Sequence, residues 1–185
     1  MATGEDVLDP DIRVSAMFDG RLARDLAAFA PTHVVSLLDP SLAPERRPRF
    51  SPGPKVFQRA FYDVEDASDE GPEHAVVRDL VAFLEETAAP SARLLSHCHM
   101  GASRSTAAAF IALNLRYGPG REGEALDELL RITNKPWPNS RLVALADAHL
   151  ARGGAMTAAL DRYRDAHPRR IGAYRRLNGR RGLYL

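Results

Sequence analysis

The sequence predicts an α/β fold in which a central, mainly parallel and twisted sheet is flanked by helices and followed by a helical C-terminal third. The segment 32–38 is a run of β-branched and aliphatic residues without alternation, which is typical of a strand buried on both faces. Strand and helix patterns follow one another up to Tyr117, and this order favours parallel pairing. Beyond Tyr117 the apolar residues show helical spacing.

Each element has its own pattern. The first helix carries apolar residues at Leu22, Leu26 and Phe29, and Pro31 ends it. Strands are predicted at 12–17, 32–38, 56–62 and 93–97, and helices at 21–30, 73–87, 105–117, 122–132, 141–151 and 155–167. The proline-rich segment 39–54 is predicted to be an extended surface loop near a site.

The length of 185 residues favours one domain, 1–185, with a loose start at 1–10 and a basic tail at 168–185. A solvated or packed tail is favoured over the alternative of a binding element that meets phosphates or an acidic partner. The net charge of +1 gives no bias toward nucleic acid or an anionic membrane, so neither is expected as a partner. The sequence has no apolar run of about eighteen residues and its start is acidic, unlike a signal peptide. We therefore expect a cytoplasmic protein.

The single cysteine, Cys98, lies in the pattern H-C-x-x-G-x-S-R-S at 97–105. A predicted strand ends there and a predicted helix begins, so backbone N–H groups and the positive end of the helix dipole can form a cradle for an oxyanion. Gly101 allows the backbone to turn and approach closely. The residues expected to bind phosphate are His99, Met100, Gly101, Ala102, Ser103 and Arg104.

The chemical properties of the side chains in this pattern indicate a role for each of them. A thiolate is favoured at a helix N-terminus beside a guanidinium, so Cys98 is the expected nucleophile, against the alternative of an inert buried cysteine. Arg104 has a planar fork that can hold two phosphate oxygens. Ser105 is expected to reach the sulfur, to cap the helix, or both. His97 is expected to order the loop through hydrogen bonds of its ring. Neither a metal nor a cofactor is expected, since no metal-ligand spacing is present.

The pattern H-C-x-x-G-x-S-R-S is the signature of the dual-specificity branch of the cysteine-based protein-tyrosine phosphatases, and the chain resembles that family over residues 30–120. It is also similar to small bacterial members in which a Pro-Asn pair, like Pro138-Asn139, precedes an A-L-A-D helix, like 144–147. The resemblance implies a protein-tyrosine-phosphatase-like fold. It also implies a hydrolase that takes phosphate, through a phosphocysteine, from a phosphorylated protein or small phosphomonoester, tyrosine first and serine or threonine next.

The resemblance further implies a general acid, an aspartate on a loop upstream of the cysteine. Asp66 lies 32 positions before Cys98, after a predicted strand and before a predicted helix, and is the preferred choice. Asp63, the next choice, and Asp69 compete for the role, and any of the three can instead be a solvated turn residue.

Two other classes of protein are also compatible with this arrangement of residues. A rhodanese-type sulfurtransferase also sets one cysteine in a loop at a helix N-terminus, and a phosphoprotein-binding module could use the same cradle without turnover. No lysine lies between His99 and Ser103, so the strongly basic pocket of a phosphoinositide phosphatase is not expected. Phosphate or sulfate is expected in the cysteine loop.

Overall fold

Four parallel strands form the centre of the computed structural model, which describes residues 11–50, 52–66 and 70–180. The strands are β1 (Ile12–Ala16), β2 (His33–Leu38), β3 (Lys55–Ala60) and β4 (Leu94–Cys98), and their order across the sheet is β1-β4-β2-β3. Every residue of β2 and β4 is buried, because both strands are central and covered on two faces. The predicted parallel α/β sheet is confirmed.

Helices cover both faces of this sheet. They are α1 (Arg21–Phe29), α2 (His74–Glu85), α3 (Arg104–Tyr117), α4 (Glu122–Ile132), α5 (Ser140–His149), α6 (Ala155–Asp165) and α7 (Arg170–Arg180). On one face, Phe29 of α1 packs with Val34 and Leu95. On the other, α3 lies against β1, β2 and β4 and is itself surrounded by α2, α4 and α5. Its alanine-rich sequence fits this central position, because small side chains allow close packing.

The helical C-terminal third is confirmed, and it extends further than predicted. Part of the predicted basic tail, Arg170–Arg180, forms helix α7. Its Ile171 and Tyr174 lie three residues apart, so both fall on one side of the helix. The Tyr174 hydroxyl donates a hydrogen bond to the Lys135 carbonyl. The segment is rich in arginine, so its few apolar residues did not form a pattern that predicted a helix. The predicted loose start, 1–10, and the end of the tail, 181–185, lie outside the described residues.

Two polar side chains stabilise the starts of the C-terminal helices α5 and α6. Asn139 caps α5 by accepting a hydrogen bond from Leu142 N (2.9 Å). Asp147 accepts from Gly154 N (2.6 Å) and Met156 N (2.7 Å) at the start of α6. These residues belong to the Pro-Asn pair and the A-L-A-D helix of the sequence, so both motifs have a structural role as helix caps.

The strands all run in one direction, so their carboxyl ends meet at one edge of the sheet. Asp39 follows β2, the β3–α2 loop (61–73) begins after β3, and the cysteine loop, residues 98–104, follows β4. Open α/β sheets bind their ligands at this edge. Within the described ranges, none of the helices is both long and apolar enough to cross a membrane.

Candidate active site

The cysteine loop turns sharply between β4 and α3. Gly101 has a φ of +67°, a left-handed conformation that side chains rarely adopt. A Cβ at this position would lie 2.7 Å from the Ser15 carbonyl oxygen and 3.2 Å from Ala16 Cβ. The tight turn predicted for Gly101 is therefore present, and β1 is the neighbour that leaves no room for a side chain. The close approach of the Gly101 backbone to a phosphate stays a prediction.

The loop directs its carbonyl groups outward and leaves its N–H groups unused. The Ala102 and Ser103 carbonyls accept hydrogen bonds from Trp137 N (2.8 Å) and Asn139 N (3.4 Å). In the described part of the chain, none of the backbone N–H groups of residues 99–103 donates a hydrogen bond. Unpaired N–H groups beside the N-terminus of α3 can bind an anion, since both carry partial positive charge.

Cys98 is the last residue of β4 and is only 1% exposed. Its Sγ lies 3.2 Å from Ser105 Oγ, within reach of a hydrogen bond. Ser105 itself is held because its carbonyl accepts from Ser96 Oγ (3.0 Å). The N-cap of α3 is Ser103, so the alternative that Ser105 caps this helix is wrong. The hydroxyl of Ser105 faces the sulfur because the residue lies inside the first turn.

Arg104 is 3% exposed and is held through one nitrogen. Its Nη1 donates to the Phe61 carbonyl (2.7 Å) and pairs with Asp39 Oδ1 (2.8 Å). Its Nε is buried, has no hydrogen-bond partner, and lies 3.7 Å from Asp63 Oδ2. Burial alone would lower the pKa of Arg104, but the negative charges of Asp63, Cys98 and Asp39 outweigh it and raise the pKa. The Nε edge of the fork is thus charged and available for an anion.

Asp39 is a residue of this site that the sequence did not single out. Its carboxylate pairs with Arg104 and also accepts a hydrogen bond from His99 Nδ1. Burial opposes ionisation of Asp39, but His99 and Arg104 outweigh burial and lower the pKa of its carboxyl below the usual range. Asp39 is the first residue after the buried strand β2, so its position at the carboxyl edge could have indicated it.

The aspartates of the β3–α2 loop differ in their contacts. Asp63 Oδ1 accepts from Ser103 Oγ (2.7 Å) and Asn139 Nδ2 (2.8 Å), and its side chain is 10% exposed. Asp66 is exposed, and no hydrogen bond to its carboxylate occurs among the described residues. Its backbone carbonyl accepts from Arg141. Asp69 lies outside the described residues. The structure therefore brings Asp63 to the cysteine loop as an anchor and leaves the Asp66 carboxylate free.

The same loop is attached to the C-terminal helices. Asn139 Nδ2 also donates to the Val64 carbonyl (3.1 Å). Glu65 pairs with Arg164 of α6 and accepts from Ser140 N (3.1 Å) at the start of α5. Burial would raise the pKa of Glu65, but the contacts with Arg164 and Ser140 lower it. Contacts with α5 and α6 therefore set the position of the segment 63–66.

His97 differs from the expectation that its ring forms hydrogen bonds that order the loop. It is fully buried, and neither ring nitrogen has a hydrogen-bond partner among the described residues, so the predicted ring hydrogen bonds are absent. His97 belongs to the central strand β4, where its ring packs against Phe50 with 5.9 Å between ring centroids. Burial lowers the pKa of His97 to about 4, so the ring is neutral near pH 7. It contributes packing beneath the loop.

A cavity of about 290 Å³ opens beside the cysteine loop. Met100 and Ser103 line it from this loop, Asp66 from the β3–α2 loop, and Trp137 and Tyr174 from the C-terminal part of the chain. In the three described ranges, no group of three or more His, Cys, Asp or Glu side chains is placed to hold a metal ion.

The fold defines a class. The sheet, the cysteine loop at its carboxyl edge and the following helix are those of the dual-specificity branch of the protein-tyrosine phosphatases, and the chain has this fold. Neither a protein-family model nor a curated protein matches the sequence.

Several solved structures are similar to this chain in fold. Human DUSP28 is similar to this chain with a TM-score of 0.58 and 18% identity, over 80% of this chain and 96% of that one. The human tyrosine phosphatase-like serine/threonine/tyrosine-interacting protein also has a TM-score of 0.58, with 17% identity over 80% and 95% of the two chains. A mouse putative dual specificity phosphatase, crystallised with zinc tungstate, has a TM-score of 0.55 and 17% identity over 85% and 96%.

Proposed function

We propose that this protein is a phosphatase that hydrolyses phosphomonoesters through a phosphocysteine intermediate. The observation that carries the proposal is the cysteine loop itself. It combines a buried thiol on Cys98, a row of unpaired backbone N–H groups and the Nε of Arg104, which makes no hydrogen bond, within one short segment. Such a loop can bind an oxyanion with three charged oxygens and hold a nucleophile against it. The fold of dual-specificity phosphatases supports the same reaction.

In the first step, the Cys98 thiolate attacks phosphorus while the bond between phosphorus and the leaving oxygen breaks. Arg104 and the loop N–H groups hold the remaining phosphoryl oxygens and stabilise the charge of the transition state. Asp66 donates its proton to the leaving oxygen, so an alcohol or phenol departs. The free Asp66 carboxylate supports this role, because Asp63 is already hydrogen-bonded to Ser103 and Asn139.

In the second step, water attacks phosphorus and gives its proton to the Asp66 carboxylate, while the bond between phosphorus and sulfur breaks. Ser105 Oγ, 3.2 Å from the sulfur, stabilises the departing thiolate by a hydrogen bond. Inorganic phosphate leaves and the enzyme is restored. Arg104 and the N–H groups supply the positive charge, so the proposed cycle needs no cofactor.

The proposed substrate is a phosphorylated protein side chain, phosphotyrosine first and phosphoserine or phosphothreonine next. The cysteine loop contains no lysine, which disfavours a highly charged phosphoinositide. A sulfurtransferase of the rhodanese type is disfavoured, because the chain has the fold of dual-specificity phosphatases.

The proposal is tested by hydrolysis of an aryl phosphate such as p-nitrophenyl phosphate, with and without a chelator. We expect turnover by the wild-type protein in both conditions and none by Cys98→Ser. Equal turnover by Cys98→Ser, or none by the wild type, would contradict the proposal.

The choice of acid is tested by comparing Asp66→Asn with Asp63→Asn. A general acid must carry its proton, so the wild-type rate should fall on the alkaline side of the pH profile. We expect Asp66→Asn to remove this fall and to slow substrates with poor leaving groups most. If Asp63→Asn produces both effects and Asp66→Asn neither, then Asp63 is the acid.

A second candidate function is binding of phosphoproteins without turnover. One of the similar structures is named a tyrosine phosphatase-like interacting protein, so a protein of this fold carries that description. Binding of a phosphotyrosine peptide by the wild type, with no phosphate release from it or from the aryl phosphate, would support this candidate and exclude the enzyme.

A further inference from the structure

Helix α7 forms one wall of the cavity beside the cysteine loop. Ile171, Tyr174 and Arg175 line the cavity from α7, opposite Met100 of the cysteine loop and Asp66 of the β3–α2 loop. Its volume of about 290 Å³ is at the lower end of ligand pockets, so it fits a side chain rather than a large cofactor. The cavity thus joins a helix near the C-terminus to the candidate active site.

The cavity lies on the leaving-group side of the proposed reaction, and the inference below rests on that proposed function. The phosphoryl group is held by the N–H groups inside the loop, while the leaving oxygen receives a proton from Asp66. The leaving group must therefore extend from the loop toward Asp66. Asp66 and Met100 both line the cavity, so the leaving group enters it.

The wall that α7 contributes is fixed relative to the cysteine loop. Tyr174 donates to the Lys135 carbonyl, and Tyr163 of α6 donates to the Pro136 carbonyl (2.6 Å). The next residue, Trp137, donates through its backbone to Ala102 of the cysteine loop (2.8 Å). Successive residues of one segment therefore connect α6 and α7 to the loop. This arrangement gives the cavity a preformed shape, which reduces the ordering cost of binding.

The cavity has an apolar part suited to an aromatic ring. Met100, Trp137 and Ile171 line it with thioether, indole and aliphatic surfaces. A phenol ring packs well against such surfaces, since sulfur–aromatic and aromatic–aromatic contacts add to the burial of apolar area. A phosphorylated tyrosine therefore fits the cavity better than a phosphorylated serine, whose side chain has no ring to fill it.

The polar part of the cavity offers donors that lack acceptors. Arg175 is exposed to the cavity, and no hydrogen bond or ion pair of its side chain occurs in the described part of the chain. Trp137 is 7% exposed, and its Nε1 is buried without a hydrogen-bond partner. The carboxylates of Asp63 and Glu65, which also line the cavity, are already bonded to other residues. Among the described residues that line the cavity, Arg175 contributes the one cationic side chain.

We infer that α7 contributes to substrate specificity by lining the cavity, and that its residue Arg175 selects phosphotyrosine sites with an acidic residue next to the phosphotyrosine. The ring of the phosphotyrosine occupies the apolar part of the cavity. The neighbouring carboxylate pairs with the guanidinium of Arg175 at the rim, where electrostatic complementarity favours an acidic over a neutral neighbour.

The test uses two phosphotyrosine peptides that are identical except that one has Glu and the other Gln on both sides of the phosphotyrosine. We expect the wild type to favour the Glu peptide about two- to fivefold in kcat/KM, the range of a partly exposed ion pair. Arg175→Gln should lose this preference, so that its kcat/KM is the same for the two peptides. The matched control is Arg176→Gln, because Arg176 is the next residue of α7 but does not line the cavity. It should retain the preference.

The outcomes separate this inference from the proposed function. Equal rates on the two peptides, or an equal loss of preference in Arg175→Gln and Arg176→Gln, would overturn the role of Arg175 while leaving the phosphatase intact. Turnover of p-nitrophenyl phosphate without turnover of either peptide would also overturn it. No turnover of any substrate would contradict the proposed function, and the inference with it. Raising the salt concentration should weaken a true preference, because salt screens exposed charges.

Discussion

The carboxylate of Asp39 contacts two residues of the cysteine loop. It pairs with Arg104 Nη1 and accepts from His99 Nδ1, so one side chain orients both the residue after Cys98 and the guanidinium proposed to hold phosphate. Because Nη1 is occupied by Asp39 and by the Phe61 carbonyl, Arg104 can present only its other edge to a phosphate. We therefore regard Asp39 as a positioning residue.

Asp39→Asn should reduce this orientation without removing the nucleophile. Loss of a charged hydrogen bond at a partly buried site is expected to lower kcat/KM for an aryl phosphate roughly ten- to hundredfold, and to weaken binding of tungstate by a similar factor. Steady-state kinetics and calorimetric titration measure the two effects. Asp79→Asn is the control, since Asp79 pairs with Arg59 and Arg78 at the surface. Tungstate affinity equal to that of the wild type would show that Asp39 does not position Arg104.

His97 should make the protein sensitive to mild acid. Its pKa is about 4 in the folded protein against an ordinary value of 6.5, so between these values the unfolded chain binds more protons. Stability from the neutral ring is complete above pH 6.5 and is lost as the pH falls toward 4, by up to roughly 3 kcal/mol in total. Urea unfolding at several pH values measures this loss. In His97→Gln the slope between pH 6.5 and 4 should be clearly smaller, and an unchanged slope would assign the acid sensitivity to other groups.

At the scale of elements, α5 connects the C-terminal third to the candidate site. Asn139 caps this helix by accepting from Leu142 N, and the same amide donates to Asp63 and to the Val64 carbonyl. One side chain thus performs two tasks, the start of a helix and the placement of the loop that carries Asp66. The Pro-Asn pair in the sequence therefore affects the candidate site although it lies far from Cys98 along the chain.

Two substitutions of Asn139 separate these tasks. Asn139→Ala removes the cap and should lower the free energy of unfolding by about 1–2 kcal/mol. Asn139→Asp retains a capping oxygen, but it cannot donate to Asp63 and places a second carboxylate beside it. We expect both variants to lose phosphatase activity, with the larger loss of helix stability in Asn139→Ala. Activity equal to the wild type in Asn139→Asp would show that the contact with Asp63 does not position the loop.

The strands and helices in which apolar residues recur at a regular spacing were predicted from the sequence, but helix α7 was not. The predicted boundaries of β1 to β4 and of α1 to α6 agree with the structure to within about two residues, because buried strands and amphipathic helices depend on local patterns. Helix α7 has only a short apolar side among many arginines, and its tertiary contacts, such as that of Tyr174 with Lys135, hold it in place. Those contacts cannot be recognised in a local window of sequence.

At the scale of the whole molecule, the parallel sheet assembles the candidate site. Asp39, Asp63 and Cys98 are distant along the chain but converge at one edge, because β2, β3 and β4 all end there. Asn139 reaches the same edge from the start of α5 by donating a hydrogen bond to Asp63. An anion bound at this edge would contact groups from several of these segments. Its binding should therefore stabilise the entire fold and not one loop.

Tungstate or phosphate should raise the thermal stability of the protein. A ligand that binds only the folded state adds about 2.7 kcal/mol when its concentration is a hundred times its Kd. Differential scanning calorimetry at constant ionic strength, with chloride as the control anion, measures the increase in Tm. The increase should disappear in Arg104→Met. A shift of equal size in Arg104→Met would place the anion elsewhere on the protein.

The sequence by itself determined the strand, loop and helix around Cys98, because these follow from the apolar pattern and from one compact motif of nine residues. It also predicted the need for Gly101, since the tight turn is a local property. Only the tertiary structure decided that Ser105 faces the sulfur instead of capping α3, that His97 is buried without hydrogen bonds, and that Asp39 contacts Arg104. The tertiary structure also decided that Asp63 and Asp66 make different contacts. Each of these facts depends on which side chains from distant parts of the chain pack together in space. Sheet topology and helix docking determine that packing, and the local spacing of residues in the sequence does not.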